Sequence, residues 1–382
     1  MKVFYCRLID KAIIWLSLAT FSMLILFSAE LEAEPAQSKK ITLDERATLA
    51  ATYMGNIQRK TGYFSYEFDF IAGRWSSADE LVRQAGASYG LSDYLLTHPD
   101  PIAAQVIQKA IVAYRKNSIQ YNGGKLLTSG GDLKNAETGA TALALMGALQ
   151  FAKATGDRQF EADIVDWKNG LLALHRPSAG FVGGPADQEE SPYFNGEAWL
   201  ALAVYSEYYP ADESLKKLLP AMDAYMVKLY STSPDIGFFH WGLMAASKRF
   251  KQTKATYLAD FVAGQVSDFL VRMRPDFDEE VNSCYSVEGM SSALSVLQKN
   301  PQNAALSSRL LSRVRQEMAK NIAMQILPDQ TSILLTKGRT LIAPEVAKYS
   351  GAFINGMDRP QIRIDFTQHC LSALIKSSPY LN

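Results

Sequence analysis

Seven ionisable side chains recur at matching places along this chain: Arg83, Glu137, Glu197, His240, Glu288, Asp365 and His369. Six segments carry all of them but Asp365, which lies four residues before the sixth, and each opens on a polar residue and runs into small apolar ones. They read Arg83-Gln84-Ala-Gly-Ala-Ser, Glu137-Thr-Gly-Ala-Thr-Ala-Leu, Glu197-Ala-Trp-Leu-Ala-Leu, His240-Trp241-Gly-Leu-Met-Ala-Ala, Glu288-Gly-Met-Ser-Ser-Ala-Leu and His369-Cys-Leu-Ser-Ala-Leu. If the segments are equivalent elements of a closed array, their polar starts converge on one rim. Two chemistries fit such a rim. Glu197 with Glu288 or Asp365 could act as acid and base or nucleophile on a glycosidic bond, one carboxyl being kept protonated. His240 and His369 could instead move protons, because imidazole titrates near neutral pH.

The neighbours of these residues suit a sugar. Tyr193-Phe-Asn195-Gly-Glu197 places an aromatic platform, an amide and a carboxylate within five residues, for the apolar ring face and the hydroxyls respectively. Arg363-Ile-Asp365-Phe-Thr-Gln-His369 is the densest polar run; at helical spacing Asp365 and His369 share a face, so the carboxylate could orient the imidazole. Arg83, Gln84, Glu137, Tyr193, Asn195, Trp241 and Arg363 are the candidate binding residues. Each has a plainer reading as a helix cap or a satisfied buried group. A zinc site from Asp278, Cys284, His240 and His369-Cys370 lacks ligand spacing, and neither metal nor cofactor is expected.

The elements that must position these residues are helices. Small-residue helices near 77–98, 135–154, 191–209, 237–250, 284–299 and 364–376 alternate with longer, more charged partners. The last has no partner after it, and the segment 43–59 has none before it, so these two should pair. Six hairpins closed in this way make an all-α (α/α)6 toroid, with the small-residue helices inside because Ala, Gly and Ser admit close backbone approach. Ser77-Ala-Asp-Glu80 has capping-box spacing. Gly123-Gly124 and Gly130-Gly131 read as a loop, Gly180–Gly184 and Gly351–Gly356 as loops over the toroid mouth, and residues 331–342 as a small β-like arm.

Lys2, Arg7 and Lys11 followed by an apolar stretch from Ala12 to Phe27 read as a secretory signal over residues 1–33, with an uncleaved anchor as the alternative. A polar tether at 34–41 then leads into a toroid domain at 42–382. The protein is expected to be exported, periplasmic or secreted, without a further membrane span. Lys plus Arg and Asp plus Glu number 39 each, which argues against nucleic acid as a partner. Cys284 and Cys370 remain after signal removal, to be a disulfide in an oxidising compartment or two buried thiols.

Gly62-Tyr-Phe-Ser-Tyr66-Glu-Phe-Asp69, Arg83-Gln-Ala-Gly86, the Glu137 and Glu197 segments, His240-Trp241 and Arg363-Ile-Asp365-Phe-Thr-Gln-His369 together resemble a little-characterised group of α/α-toroid proteins. More loosely the arrangement is similar to N-acylglucosamine and cellobiose 2-epimerases and to six-hairpin glycosidases. That similarity implies an oligo- or polysaccharide bound in the toroid mouth. It also implies that histidines on the fourth and sixth inner helices, here His240 and His369, exchange protons with the substrate. The tryptophan-rich and His-xxx-Glu patterns of those epimerases are absent around them. The expected function is an exported carbohydrate-active enzyme, a glycoside hydrolase or a sugar epimerase or lyase; a non-catalytic glycan- or peptide-binding envelope protein is the alternative.

Overall fold

The computed structural model describes residues 41–177 and 180–381. The expected signal and all but the last residue of the tether lie outside the described residues. Twelve α-helices follow: α1 (Leu43–Asn56), α2 (Leu81–Leu95), α3 (Pro101–Lys116), α4 (Thr138–Thr155), α5 (Glu161–Leu174), α6 (Pro192–Tyr208), α7 (Glu213–Thr232), α8 (Ile236–Thr253), α9 (Thr256–Asp268), α10 (Cys284–Leu297), α11 (Ala304–Ala323) and α12 (Ile364–Leu381). The even-numbered helices pack side by side in order, and α12 closes on α2. Each is backed by its successor, except that α12 is backed by α1. The molecule is therefore an (α/α)6 toroid closed by pairing the first helix with the last.

Composition explains which helices lie inside. Thr138–Phe151 of α4, Asn195–Tyr205 of α6 and Gly237–Ser247 of α8 are buried without interruption, so these helices are covered all round. The outer α3 buries one stripe, Ala103, Val106, Ile107, Ala110, Ile111, Ala113 and Tyr114, the spacing of a helix with one face in water. Asp223, at the centre of α7, ties two inner helices to the outer layer. It accepts from Trp199 Nε1 at 2.8 Å and holds the Arg249 guanidinium at 2.8–3.0 Å, all buried.

Short strands ornament the rim. β1 (Glu67–Asp69) pairs with β2 (Arg74–Trp75) and with β7 (Gln361–Arg363), setting Glu67 opposite Arg363. β5 (Ser332–Leu334) and β6 (Thr340–Ile342) form the expected arm, with Ser332 opposite Ile342. Two local expectations are corrected. The glycines at 123–124 belong to a hairpin, β3 (Ser118–Tyr121) with β4 (Gly124–Leu127). Asn122 and Gly123 take φ of 42° and 87° at its turn, the positive values that an Asn-Gly hairpin needs. The capping box at Ser77–Glu80 is not formed: α2 begins at Leu81 with no side-chain cap from Glu80, and the Asp79 carboxylate is engaged by Arg59 and by Gln84, both at 2.7 Å.

Candidate active site

Glu197, His240, Glu288 and His369 all lie within the first six residues of inner helices, and Glu137 is the N-cap of another. Their depth is fixed by the elements around them. Asp235 caps α8 by accepting from the Gly237 and Phe238 amides. Ser283, just before α10, donates to Glu317 at 2.6 Å, and its amide donates to Asn321 at 3.0 Å; Glu317 is itself held by Arg313 and Lys320. The loops foreseen over the mouth do this work as well. Thr138 donates through its amide to Gly183 O and through its hydroxyl to Val182 O, while the Phe353 amide donates to Thr367 Oγ1.

Close backbone approach brings the helices within reach of one another. A Cβ on Gly289 would sit 2.8 Å from the Cα of His240, and one on Gly139 would sit 2.3 Å from Glu197 Oε2. Gly139 and Gly289, each one or two residues past a polar start, thus make room for the polar residue of a neighbouring inner helix. Cys284 and Cys370 form a disulfide between the first residue of α10 and the second turn of α12, settling the alternative left open by sequence and excluding both sulfurs as zinc ligands. The bond ties together the two helices that carry Glu288 and His369.

His369 Nδ1 and Glu288 Oε2 are 2.7 Å apart. Burial works against the imidazolium, but the Glu288 carboxylate, its hydrogen bond and the charge of Asp365 outweigh it and raise His369 above the usual imidazole value. His240 is shifted the other way. Burial, with the nearby charge of His369, holds it well below that value, and neither ring nitrogen has a hydrogen-bond partner. The two rings meet edge to face at 5.5 Å. The surroundings thus bias one histidine towards the neutral form and the other towards the protonated form.

Aromatic rings surround the pair: Trp241 at 4.8 Å and Tyr285 at 5.5 Å from His240, with Tyr193 at 6.4 Å and half exposed. The second cluster is acidic. Burial, reinforced by Glu137, pushes the Glu197 carboxyl up to about 8, and its Oε2 has no partner. Burial and Glu80 raise Glu137 as well.

The rest of the candidate set is sorted by its contacts. Arg83 bonds the Tyr66 hydroxyl and pairs with Glu80 at 2.5 Å and with Asp365 at 3.1 Å. Arg363 grips the other side of Asp365 at 2.6 and 2.9 Å. Asp365 therefore holds two guanidinium groups, and the carboxylate bonded to His369 is that of Glu288. Gln84 and Asn195, expected as binding residues, have their amides engaged within the protein. The Gln84 amide is spent on the Phe64 backbone and Asp79, and that of Asn195 on the Phe181 amide, Glu190 and Tyr230; both are buried with their polar atoms turned into the protein. Sequence reasoning missed Tyr285 and Arg274, whose guanidinium lies 5.4 Å from the Tyr285 ring. Tyr285 stood one residue past a cysteine that drew attention only as a thiol.

His240, Glu288 and His369 also offer three ligand atoms within 4.8 Å of one another. Two imidazoles and a carboxylate are a donor set that zinc accepts. The Glu288–His369 hydrogen bond uses the carboxylate as an acceptor instead.

The fold has solved counterparts. The GH76A α-1,6-mannanase from Salegentibacter sp. HEL1_6 superposes with a TM-score of 0.63 at 11% identity, covering 88% of this chain and 99% of its own. A sugar epimerase from a ruminal bacterium gives 0.57 at 12%, covering 87% and 97%. A D-mannose isomerase gives 0.59 at 11%, covering 90% and 99%. This is the six-hairpin glycosidase-like toroid. No family model matches the sequence, and no curated protein matches it. At these identities the likeness concerns the fold, and the chemistry has to be argued from the site.

Proposed function

We propose that this protein is an exported carbohydrate-active enzyme that moves a proton beside the carbonyl of a sugar, interconverting aldose and ketose. The observation that carries this is the histidine pair, two rings 5.5 Å apart of which only His369 bonds a carboxylate, so that His240 is shifted down and His369 up from the usual imidazole value. Two titratable groups pushed apart in this way mark a base and an acid. His240 takes the proton from the carbon beside the open-chain carbonyl, and His369 gives one to the carbonyl oxygen, leaving an enediol. His240 then returns its proton to the former carbonyl carbon while His369 takes the proton from the neighbouring hydroxyl, so each histidine ends as it began. A nitrogen of each ring lies within 4.8 Å of the other, suited to adjacent atoms on one side of a substrate at hydrogen-bond reach of about 3 Å. Two bases bracketing one carbon from opposite faces, as epimerisation requires, would stand about 6 Å apart at that reach. The D-mannose isomerase likeness is in keeping with this reading.

Arg83, Glu137, Arg363 and the Tyr193 ring are assigned to hold the sugar hydroxyls and ring face. The Cys284–Cys370 disulfide supports export, since such bonds persist in oxidising compartments. No helix among the described residues is long and apolar enough to cross a membrane.

Glycoside hydrolysis is the second reading, favoured by a Glu197 carboxyl that keeps its proton up to about 8. A variant of the Salegentibacter mannanase described as inactive has two adjacent aspartates replaced, and this chain has no two adjacent aspartates. Glu197→Gln and His369→Asn separate the readings. Assayed on free aldoses and on oligosaccharides, His369→Asn should lose isomerisation by about 100-fold or more, the usual contribution of a general acid or base, while Glu197→Gln keeps a measurable rate. Loss in Glu197→Gln with full activity in His369→Asn would establish the hydrolase reading instead.

A further inference from the structure

The histidine rim carries more lone pairs than its hydrogen bonds use. His240 is 3% exposed and neither of its ring nitrogens has a partner. Glu288 is fully buried, and its Oε1 is unpaired although Oε2 bonds His369. One nitrogen of a neutral imidazole is an acceptor, so lone pairs on His240 and Glu288 stay unspent inside the protein. Leaving a buried polar group unpaired costs about 1–3 kcal/mol. A purely structural histidine would be satisfied by the fold around it.

His240, Glu288 and His369 each offer one donor atom, and the three atoms lie within 4.8 Å of one another. They form the one such group of histidine, cysteine and carboxylate donors among the described residues. Zinc holds nitrogen and oxygen donors at about 2.0–2.1 Å, which puts tetrahedral neighbours about 3.4 Å apart. The widest gap therefore closes by about 1.4 Å or less around an ion, and the Glu288–His369 contact of 2.7 Å opens slightly. These donors need no cavity of their own, because the ion lies between them. The His369 side chain, 18% exposed, gives the way in. The donors come from α8, α10 and α12, the last two joined by the disulfide. The zinc set considered from the sequence matched these histidines with cysteines, and Glu288 takes their place.

Donor chemistry chooses the ion. Imidazole suits zinc and its transition-metal neighbours, whereas magnesium and calcium take oxygen donors. Three protein donors leave a fourth position for water. No partner orients the remaining His240 nitrogen, and lack of such support costs a metal site about 10–100-fold in affinity. The ion is therefore exchangeable.

We infer that His240, Glu288 and His369 reversibly bind one zinc ion, or a transition-metal ion of like preference, and that the bound ion arrests proton transfer at the rim. Zinc takes the lone pair that His240 uses as a base. It also displaces the proton between Glu288 and His369 to the buffer, so acid and base are lost together. The arrest rests on the isomerase reading; the binding does not.

Calorimetric titration of chelator-treated mature protein with zinc chloride tests the binding with no sugar present. One ion per chain should bind saturably, and magnesium chloride should give no such isotherm. His240→Asn, Glu288→Gln and His369→Asn should each weaken zinc binding about 100-fold, since losing a ligand costs at least as much as losing its support. His98→Asn removes the imidazole bonded to Asp44 beyond the end of α2 and should leave zinc binding unchanged. Saturating zinc should raise the Tm of the parent and not that of His240→Asn, a comparison that holds even if the variant is less stable. Isomerisation by the parent should stop at saturating zinc and return on addition of EDTA. The inference is overturned if zinc does not bind, if the three variants bind it as the parent does, or if the zinc-saturated protein isomerises at full rate. Zinc bound by these residues in a protein that isomerises no aldose would uphold the site and refute the isomerase reading.

Discussion

His240 and His369 are chemically the same side chain, and their surroundings make them different reagents. Burial with no partner lowers the pKa of His240, whereas the Glu288 carboxylate at 2.7 Å raises that of His369 against its burial. The expected pH profile follows from the signs. The base is competent above its lowered pKa and the acid below its raised one, so activity should hold across a plateau spanning the ordinary imidazole value of about 6.5 and fall on both sides. Glu288→Gln should narrow that plateau from the alkaline side, because His369 then loses its proton earlier; an unchanged alkaline limb would mean that Glu288 does not set it. Glu197 makes a separate prediction. Its carboxyl is raised to about 8 in the folded protein, so the unfolded chain releases that proton first and stability falls as pH rises from about 4.5 towards 8. Glu197→Gln should therefore raise Tm relative to the parent at pH 9 and much less at pH 4, as read by circular dichroism melts.

Helices α10 and α12 deliver the Glu288–His369 pair, and the Cys284–Cys370 disulfide joins them at the same level. It closes a loop spanning 86 positions. Chain entropy for a loop of that size gives about 4–5 kcal/mol at 25 °C, although native disulfides commonly contribute about 2–5 kcal/mol. Cys284→Ala/Cys370→Ala should lose stability in that range by urea unfolding, and its alkaline activity limb should shift, since the Glu288–His369 distance is no longer fixed. A variant with parental stability would show that the bond constrains nothing. Asp223 poses a similar test, because Asp223→Ala leaves the buried Arg249 guanidinium without its carboxylate; about 3–5 kcal/mol of destabilisation is expected. The helices themselves were legible because polar-then-small segments recur at the inner-ring period. Which polar residue would turn inward was not: Gln84 and Asn195 read like ligands of a sugar, and only the placement of Phe64 and Phe181 shows that backbone groups consume them. Pairings such as Asp365 with Arg83 or Glu288 with His369 join residues 282 and 81 positions apart, beyond any spacing rule.

The toroid sets its two ends apart. One carries the starts of the inner helices and the acid–base pair; the other carries their second halves, with Lys153, Lys248, Lys251 and Lys376 around a cavity of about 340 Å³. Closure depends on α1 backing α12, which the unpaired first and last segments of the sequence already announced. The Asn-Gly hairpin at 122–123 was equally available in the sequence, but its glycines read as loop. What decides the central claim is the fate of one carbon-bound hydrogen. Incubated with a free aldose in deuterium oxide and followed by proton NMR, the mature protein should exchange the hydrogen beside the carbonyl for deuterium as ketose accumulates, and His240→Asn should stop that exchange. Cleavage of a glycosidic bond without any deuterium entering carbon would contradict it.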